Sequence, residues 1–443
     1  MNITPVYPSF GVGRGPGFWL DPRNLLASRR IGRRDESVLW RRRQESEILA
    51  PADRSTDLRA LLYPGRPPEQ QALRSFSFII LGDTGEGDKS QYATLPLIRA
   101  LNPDFLIING DLAYPAGRVE DFIQGFFEPY QGLQRPIWAV PGNHEYYSPN
   151  SGREFHEIFC TRKYEAMWQQ YGLPLVRQPG TYWELGSPEL PLTILALDSG
   201  MNGYFDPGGE GDYGDPEQLG WLSRRLDQAA GNTVVALFHI PALVNEKRAH
   251  GRANRLHLML ASSPAVRAVI TGHEHSFQYY PPPVFSTFAG LPPAAGAGGP
   301  HYFVSGASGA FLSPVEYATN EGEYPAAVVF PDRDAWTGYV RRRPLRKWGI
   351  SRLAKSVVAR AVHSLEGAVW DQDDEQFLSL LHVETSRSQG EWRVTLTPYF
   401  QASLDDLYPG VPAGTRVSVS DGLPLPPPEG LARCRQPSIQ LYP

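Results

Sequence analysis

Short apolar segments recur along the chain from residue 76 onward. Each is bounded by Gly, Pro or Asp, and none alternates regularly between apolar and polar positions. Segments with this pattern predict strands that are buried on both faces of a sheet. The predicted strands are Phe78–Leu81, Phe105–Ile108, Ile137–Val140, Leu192–Leu197, Val234–Phe238, Ala268–Ile270 and Tyr302–Val304.

Helical patterns lie between several of these strands. One covers Ser90–Leu101, and another begins at Asp215, a suitable N-cap that is followed by proline. In the second pattern, Leu219, Leu222 and Leu226 recur at the spacing of one helix face. Alternating strands and helices indicate an α/β domain whose sheets are covered on both faces.

Segments of different composition flank and interrupt this pattern. Residues 281–300 are rich in Pro, Gly and Ala and predict a flexible loop. Residues 341–365 contain eight Arg or Lys and no acidic residue, and their apolar positions predict a basic amphipathic helix. Phe377–Val383 and Trp392–Leu396 predict a β-hairpin. The predicted organisation is a partly irregular arm at 1–74 with a helix near Ser37–Leu49, a core at 75–311, an insertion at 312–375, a hairpin that completes the core at 376–409 and an irregular Pro-rich tail at 410–443.

Composition and charge are those of an ordinary globular protein. Of the 443 residues, 41% are apolar, and the net charge is −5. A negative net charge favours neither nucleic acid nor an anionic membrane as a partner for the whole molecule. The N-terminal residues lack the apolar core of a secretory signal, and no apolar run reaches the length of a membrane span. We therefore expect a cytoplasmic protein.

Five of the predicted strands are each followed by polar residues of types that can bind metal ions. Ligands in open α/β sheets gather at the carboxyl ends of the strands, so we expect these side chains to converge. A glycine near the start of most of these turns allows a sharp bend and leaves room for an ion. In chain order the positions are Asp83, Asp111, Tyr114, Asn143, His144, His239, His273 and His275.

The residue types indicate which ions such a site would hold. Carboxylate, phenolate, amide oxygen and imidazole together suit Fe, Mn or Zn better than copper or calcium. Seven ligands, with His144 not counted among the eight positions, are too many for one tetrahedral zinc and suit two ions that share a bridging carboxylate. Taken singly, Gly-Asp-Thr-Gly and Gly-Asn-His-Glu are ordinary turn sequences. The argument for a metal site rests on all five groups occurring in order, each directly after a strand.

These motifs resemble those of the calcineurin-like metallophosphoesterases, and within them the purple acid phosphatase branch. Most of that superfamily has His where this chain has Gly85, and Tyr114 offers a phenolate ligand instead. This pairing resembles the purple branch specifically. The resemblance implies a four-layer α/β/β/α sandwich of two mixed β-sheets flanked by helices.

The resemblance also implies ligands and roles for individual residues. One ion, expected to be Fe(III), would be held by Asp83, Asp111, Tyr114 and His275. The second, expected to be Fe(II), Zn(II) or Mn(II), would be held by Asp111, Asn143, His239 and His273. A metal-bound hydroxide would attack phosphorus in line, and His144 would contact a phosphoryl or leaving-group oxygen. His250 is the candidate general acid, with Arg248 or His301 as substitutes.

Three functional hypotheses follow. The leading one is an acid phosphatase-like hydrolase acting on phosphate monoesters, with a small-molecule phosphoester as its partner. The nearest alternative is a phosphodiesterase that acts on nucleotide-type or phospholipid-type substrates with the same metal centre. The third, from a different class, is a protein that binds nucleic acid or an anionic membrane surface through residues 341–365. For that segment we favour a basic helix packed on the core or over the acidic stretch Asp371–Glu375. The oligomeric state is left open.

Overall fold

The computed structural model describes the greater part of the predicted core and the segments that complete it. The described residues are 4–6, 22, 54–63, 67, 75–87, 89–148, 150, 152–187, 189–199, 216–229, 231–244, 255–291, 299–310, 324–332, 334–335, 377–388, 391–401, 404–409, 416–418 and 425–441. The predicted helix near Ser37–Leu49, the basic segment 341–365 and the candidate acids Arg248 and His250 lie outside these residues.

The strands follow the predicted apolar segments and extend several of them by one to three residues. In chain order they are β1 Thr4–Val6, β2 Ser55–Asp57, β3 Phe76–Leu81, β4 Phe105–Asn109, β5 Ile137–Val140, β6 Trp183–Ser187, β7 Leu190–Ala196, β8 Thr233–Leu237, β9 Val266–Thr271, β10 Phe277–Tyr280, β11 His301–Ser305, β12 Val328–Phe330, β13 Leu378–Ser388, β14 Glu391–Gln401, β15 Arg416–Ser418 and β16 Ile439–Leu441.

Most of these strands form two mixed sheets. The first has six strands in the order β16-β14-β13-β3-β4-β5, of which β3, β4 and β5 are parallel. The second has eight strands in the order β12-β10-β11-β9-β8-β7-β6-β2, and β7, β8, β9 and β11 run parallel within it. The hairpin of β13 and β14 joins the first sheet because β13 pairs antiparallel with β3.

The two sheets pack face to face around one core. Trp138 of β5 contacts Trp183 of β6, with ring centroids 4.8 Å apart, so residues of both sheets meet there. Along β8, Val235 and Leu237 belong to this inter-sheet core. Val234 and Ala236, which alternate with them, pack on the opposite face in a second cluster that includes helix residues. The strand is therefore buried on both faces, which explains its unbroken apolar sequence.

Helices cover the outer faces of the sheets. Leu219 and Leu222 of the helix Pro216–Gln228 pack in the cluster on the outer face of the eight-stranded sheet. The described α-helices are Leu58–Leu62, Lys89–Ala93, Leu95–Leu101, Val119–Phe122, Arg153–Phe159, Glu165–Gln170, Pro216–Gln228, Arg255–Ser262, Pro282–Phe288, Leu404–Leu407 and Pro428–Cys434, with a π-helix at Ile123–Phe127 and a 3₁₀ turn at Glu145–Tyr147. The predicted α/β class, two mixed sheets flanked by helices, is confirmed. None of the helices in the described ranges is long and apolar enough to cross a bilayer.

Three local predictions differ from the structure. The single helix predicted over Ser90–Leu101 is two helices that meet at Thr94, because Pro96 lacks the N–H that would continue the first helix. The predicted loop at 281–300 contains the helix Pro282–Phe288, which begins with proline at a position where no N–H is needed. Within the predicted irregular tail, β16 pairs with β14, and Leu441 is buried in the core.

Candidate metal centre

The candidate ligands lie in loops at the carboxyl ends of parallel strands. β3, β4 and β5 are parallel neighbours, so the loops that follow them lie side by side at one edge of the six-stranded sheet. β8 and β9 are parallel neighbours in the eight-stranded sheet, and the loops after them carry the histidines. Because the sheets pack face to face, the two sets of loops meet at one end of the domain.

Three of the candidate ligands present oxygen or nitrogen atoms around the hydroxyl of Tyr114, which is itself a candidate ligand. This hydroxyl lies 3.2 Å from Oδ1 of Asp83, 3.1 Å from Oδ2 of Asp111 and 3.0 Å from Nε2 of His275. Nε2 of His275 is also 3.3 Å from Oδ1 of Asp83. Tyr114, Asp83 and Asp111 are fully or almost fully buried. These atoms form the first donor group.

A second donor group is formed around the amide oxygen of Asn143. Its Oδ1 atom lies 2.8 Å from Nδ1 of His273 and 3.2 Å from Nε2 of His239. Nε2 of His239 is in turn 3.3 Å from Oδ2 of Asp111. Ligand atoms of Asp111, His239 and His273 all lie within 4.8 Å of one another and could hold a metal ion.

Oδ2 of Asp111 belongs to both donor groups. The structure thus brings all seven sequence-predicted ligands into one pocket and divides them into two sets with one atom in common. The donor chemistry of both sets suits borderline to hard transition metals. Their separation into two sets with a shared carboxylate oxygen fits a pair of ions better than a single ion.

The backbone at three of these positions adopts a conformation that side chains rarely take. Asp83, Asp111 and His273 have φ angles of 56°, 53° and 69°, in the left-handed region. Neighbouring glycines make room for the turns. A Cβ atom at Gly110 would lie 2.2 Å from Nδ1 of His239, and one at Gly142 would lie 2.2 Å from Oδ1 of Asp111. Glycine is therefore required at both positions for the ligands to approach.

Buried charges determine the protonation of the site. Burial of the His239 imidazole opposes its protonation. The attraction of the Asp111 and Asp83 carboxylates is stronger than this effect and raises the pKa of His239 to about 10. Burial and the nearby His239 lower the pKa of His273 to about 4. Burial also opposes ionisation of Asp111, yet the His239 and His144 imidazoles hold its pKa well below the usual range. Without a metal ion, the site therefore favours an ionised Asp111 carboxylate beside a protonated His239 and a neutral His273.

Glu145 is a residue of the site that the sequence interpretation left without a role. Its Oε2 atom accepts hydrogen bonds from the backbone N–H groups of Asp111 at 3.0 Å and Gly142 at 2.6 Å. Its Oε1 atom accepts from Leu112 at 2.9 Å and Ala113 at 3.0 Å. Burial and the Asp111 carboxylate raise the pKa of Glu145, and the N–H groups of Gly142 and Ala113 oppose this shift because they stabilise the ionised form. Glu145 fixes the loop after β4 against the loop after β5.

His144 lies beside the donor groups. Its Nδ1 atom is 2.7 Å from the carbonyl oxygen of Pro115, which fits an Nδ1–H donor, and its Nε2 atom lies 3.9 Å from Oδ2 of Asp111. Its ring packs between Tyr114 and Tyr147, with centroid distances of 4.1 and 4.8 Å. Its backbone N–H donates to Oδ1 of Asp111 at 2.9 Å. The imidazole is therefore held at the site by contacts on several sides.

The remaining candidates lie elsewhere. His301 pairs with Ala268 of β9, three residues before Thr271, so it lies roughly 10 Å back along the sheet from the end that carries the site. There it hydrogen-bonds the hydroxyl of Tyr279 at 2.8 Å. This placement removes His301 as a substitute for the general acid. His250 and Arg248 lie outside the described residues and stay predictions.

Residues 76–277 match the sequence profile of the calcineurin-like phosphoesterase family. No curated protein matches the chain.

Two solved structures are similar to the chain. The crystal structure of TT1561 of Thermus thermophilus is 14% identical, with 53% of this chain and 91% of that one covered and a TM-score of 0.34. A protein serine/threonine phosphatase from Saccharomyces cerevisiae, with similarity to human phosphatase PP5, is also 14% identical. The match covers 58% of this chain and 73% of the yeast chain, with a TM-score of 0.23.

Proposed function

Residues 76–277 are a calcineurin-like phosphoesterase domain, and from that premise we propose that the chain is a dinuclear-metal enzyme that hydrolyses phosphate monoesters. The family match supports metal-dependent phosphoester hydrolysis. The observation that carries the dinuclear proposal is the shared position of one oxygen. Oδ2 of Asp111 is 3.1 Å from the Tyr114 hydroxyl in the first donor group and 3.3 Å from Nε2 of His239 in the second.

In this proposal the two donor groups hold one ion each. Asp83, Asp111, Tyr114 and His275 would hold the first ion, and Asp111, Asn143, His239 and His273 would hold the second. When bound, the ions supply Lewis-acid stabilisation of the phosphoryl oxygens and a nucleophile made from water. Nδ1 of His239 lies 2.9 Å from the carbonyl oxygen of Asn109, so its Nε2 lone pair is directed toward the second group.

His144 is proposed to contact the substrate rather than a metal ion. Its Nδ1–H donates to the carbonyl oxygen of Pro115, so Nε2 is the atom directed toward Asp111 and the centre. From there it can hydrogen-bond a phosphoryl or leaving-group oxygen as negative charge develops in the transition state. The general acid remains open, with His250 as the candidate from sequence.

Gly85 and Tyr114 support an iron-containing, purple acid phosphatase-like centre. A Cβ atom at Gly85 would lie 2.0 Å from the backbone C and O atoms of Leu112, two residues before Tyr114. A histidine ligand at position 85 would therefore need the loop that carries Tyr114 to move. With Tyr114 as the ligand instead, a hard phenolate favours a trivalent ion such as Fe(III), and the second ion is Fe(II), Zn(II) or Mn(II).

The proposal is tested by elemental analysis and an absorption spectrum of the pure protein, followed by assays with an aryl phosphate and a bis-aryl phosphate. We expect about two ions per chain, a purple colour from phenolate-to-Fe(III) charge transfer, and faster hydrolysis of the monoester. Faster hydrolysis of the diester would favour the phosphodiesterase alternative. A colourless protein that contains only Zn or Mn, although iron was supplied, would contradict the purple-branch proposal and leave a phosphoesterase.

A further inference from the structure

The candidate ligands are contributed by two different sheets. Asp83, Asp111 and Asn143 follow strands of the six-stranded sheet, whereas His239 and His273 follow strands of the eight-stranded sheet. Strand pairing fixes the relative positions of residues within each sheet but not between sheets that pack through side chains. A site divided in this way therefore needs a polar contact that fixes one sheet against the other at the ligands.

Asn109 makes such a contact. It is the last residue of β4, two positions before Asp111, and it is fully buried. Its side-chain Nδ2 donates hydrogen bonds to the backbone carbonyls of Phe238 at 3.1 Å and Ile270 at 3.2 Å. Phe238 directly follows β8, and Ile270 is the second-last residue of β9, in the other sheet. The amide nitrogen of one residue thus spans both strands that lead into the histidine loops.

The backbone of Asn109 makes a third contact across the same boundary. Its carbonyl oxygen lies 2.9 Å from Nδ1 of His239 and accepts a hydrogen bond when that nitrogen carries the proton. This bond selects the tautomer whose Nε2 atom has a free lone pair for a metal ion. The side chain of Asn109 holds the strand end beside His239, and its main chain orients the imidazole itself.

We propose that Asn109 is a positioning residue that sets His239 and His273 of one sheet against Asp111 of the other, and thereby determines the affinity of the second metal ion. The inference rests on the proposed function only in its assignment of the second ion to His239 and His273. The orientation of the amide is determined by its surroundings, because the reverse orientation would place its oxygen against two carbonyl oxygens.

The test compares Asn109→Asp and Asn109→Ala with a control, Thr385→Val. Thr385 is buried and its hydroxyl donates to the carbonyl of Phe76 at 2.9 Å, at the start of β3 and far from the site, which follows the other end of that strand. All three variants lose a buried side-chain hydrogen bond to a backbone carbonyl. Only the Asn109 variants lose it at the ligand loops, so the control measures the effect of lower stability alone.

Zinc affinity is measured by competition with a chromophoric chelator on iron-loaded protein, and iron content by elemental analysis. We expect both Asn109 variants to bind Zn(II) about 10 to 100 times more weakly than the wild type, with unchanged iron content. Asn109→Asp should be the weaker of the two, because its carboxylate faces two carbonyl oxygens. Thr385→Val should retain the wild-type affinity.

Unchanged zinc affinity in folded Asn109 variants would overturn the inference, even if their stability fell as much as that of Thr385→Val. The proposed function is judged separately by the wild type. If the wild type binds zinc but hydrolyses no phosphoester, the proposed function fails and the role of Asn109 can still hold. A wild type that binds neither metal would overturn both.

Discussion

The carboxylate of Glu145 accepts a hydrogen bond from the backbone N–H of Asp111 at 3.0 Å. Asp111 is the residue shared by the two donor groups, and its φ of 53° is one that an unsupported aspartate rarely adopts. Glu145 holds this backbone in place through the loop after β4 and reaches the loop after β5 through Gly142. Its effect on the centre is therefore indirect, through the geometry of the ligand loops.

The first prediction concerns Glu145→Gln. Each oxygen of the Glu145 carboxylate accepts hydrogen bonds from two backbone N–H groups. In the glutamine variant, an NH₂ group replaces one of these oxygens and cannot accept the two hydrogen bonds. We expect metal content to fall below one ion per chain, and the free energy of unfolding to fall by roughly 2–4 kcal/mol. Metal analysis and urea denaturation check both effects. Glu154→Gln is the control, since Glu154 is buried and, among the described residues, its side chain accepts hydrogen bonds from Ser148 and Asn150 away from the donor groups. Equal losses in both variants would contradict a special role for Glu145.

The second prediction concerns Tyr114→Phe, which keeps the ring and removes only the hydroxyl at the centre of the first donor group. If that hydroxyl binds Fe(III) as a phenolate, the variant should lose the charge-transfer band and retain at most weakly bound iron. An absorption spectrum and iron analysis measure this. Tyr130→Phe serves as the matched control, because Tyr130 is buried but is not among the donor atoms. A purple Tyr114→Phe protein would refute the ligand assignment.

A third prediction separates metal binding from chemistry. His144→Ala should lower kcat by about 100-fold or more, since a hydrogen bond to developing charge is lost, with metal content close to that of the wild type. Steady-state kinetics and elemental analysis provide the comparison. His382→Ala is the control, because it removes another buried imidazole, on β13 opposite Ile79. Its kcat should equal that of the wild type. Loss of both ions in His144→Ala would instead identify the residue as a structural support.

The fourth prediction is a pH dependence of stability that is independent of the metal centre. His257 is fully buried, with its ring 5.9 Å from Phe238 and 5.7 Å from Phe288, and burial lowers its pKa to about 3. The unfolded chain protonates this histidine near pH 6.5. Between the two values the unfolded state binds more protons, so stability is full above about pH 6.5 and falls as the pH is lowered toward about 3.

At pH 5 this difference corresponds to about 2 kcal/mol of lost stability from His257 alone. Urea denaturation at pH 7 and pH 5 measures it. His257→Phe cannot titrate, so it should lose less stability than the wild type over this interval. If the wild type and His257→Phe lose the same free energy of unfolding between pH 7 and pH 5, His257 is not a neutral histidine in the folded protein.

The sequence was sufficient to predict the central strands of both sheets and the residues that cluster at their ends. Apolar segments without alternation predict buried strands, and five of them are followed within a few residues by candidate ligands, as Phe78–Leu81 is by Asp83. Parallel pairing then brings these ends together within each sheet, whereas the meeting of the two sets depends on how one sheet packs on the other. The identification of the family rests on the same short motifs.

Contacts between sheets were not accessible from the sequence. Asn109 lies next to Gly110 and its sequence context indicates only a strand end, because its partners at positions 238 and 270 become neighbours through packing of one sheet on the other. The sequence around Glu145 indicates only a turn. Its structural role depends on four backbone N–H donors from two loops, and three of them are more than 30 residues away in the sequence. The tail strand β16 was missed for a similar reason, since three residues pair only because β14 is already in place.

The division of the ligands between the sheets has a consequence for unfolding. In the proposed centre each ion has ligands from both layers of the domain, so separation of the layers would break both ligand sets at once. At concentrations 100 times the dissociation constant, each ion would add about 2.7 kcal/mol to the stability of the closed sandwich. Treatment with a chelator should therefore lower the melting temperature of the entire domain in one transition, rather than loosen a single loop.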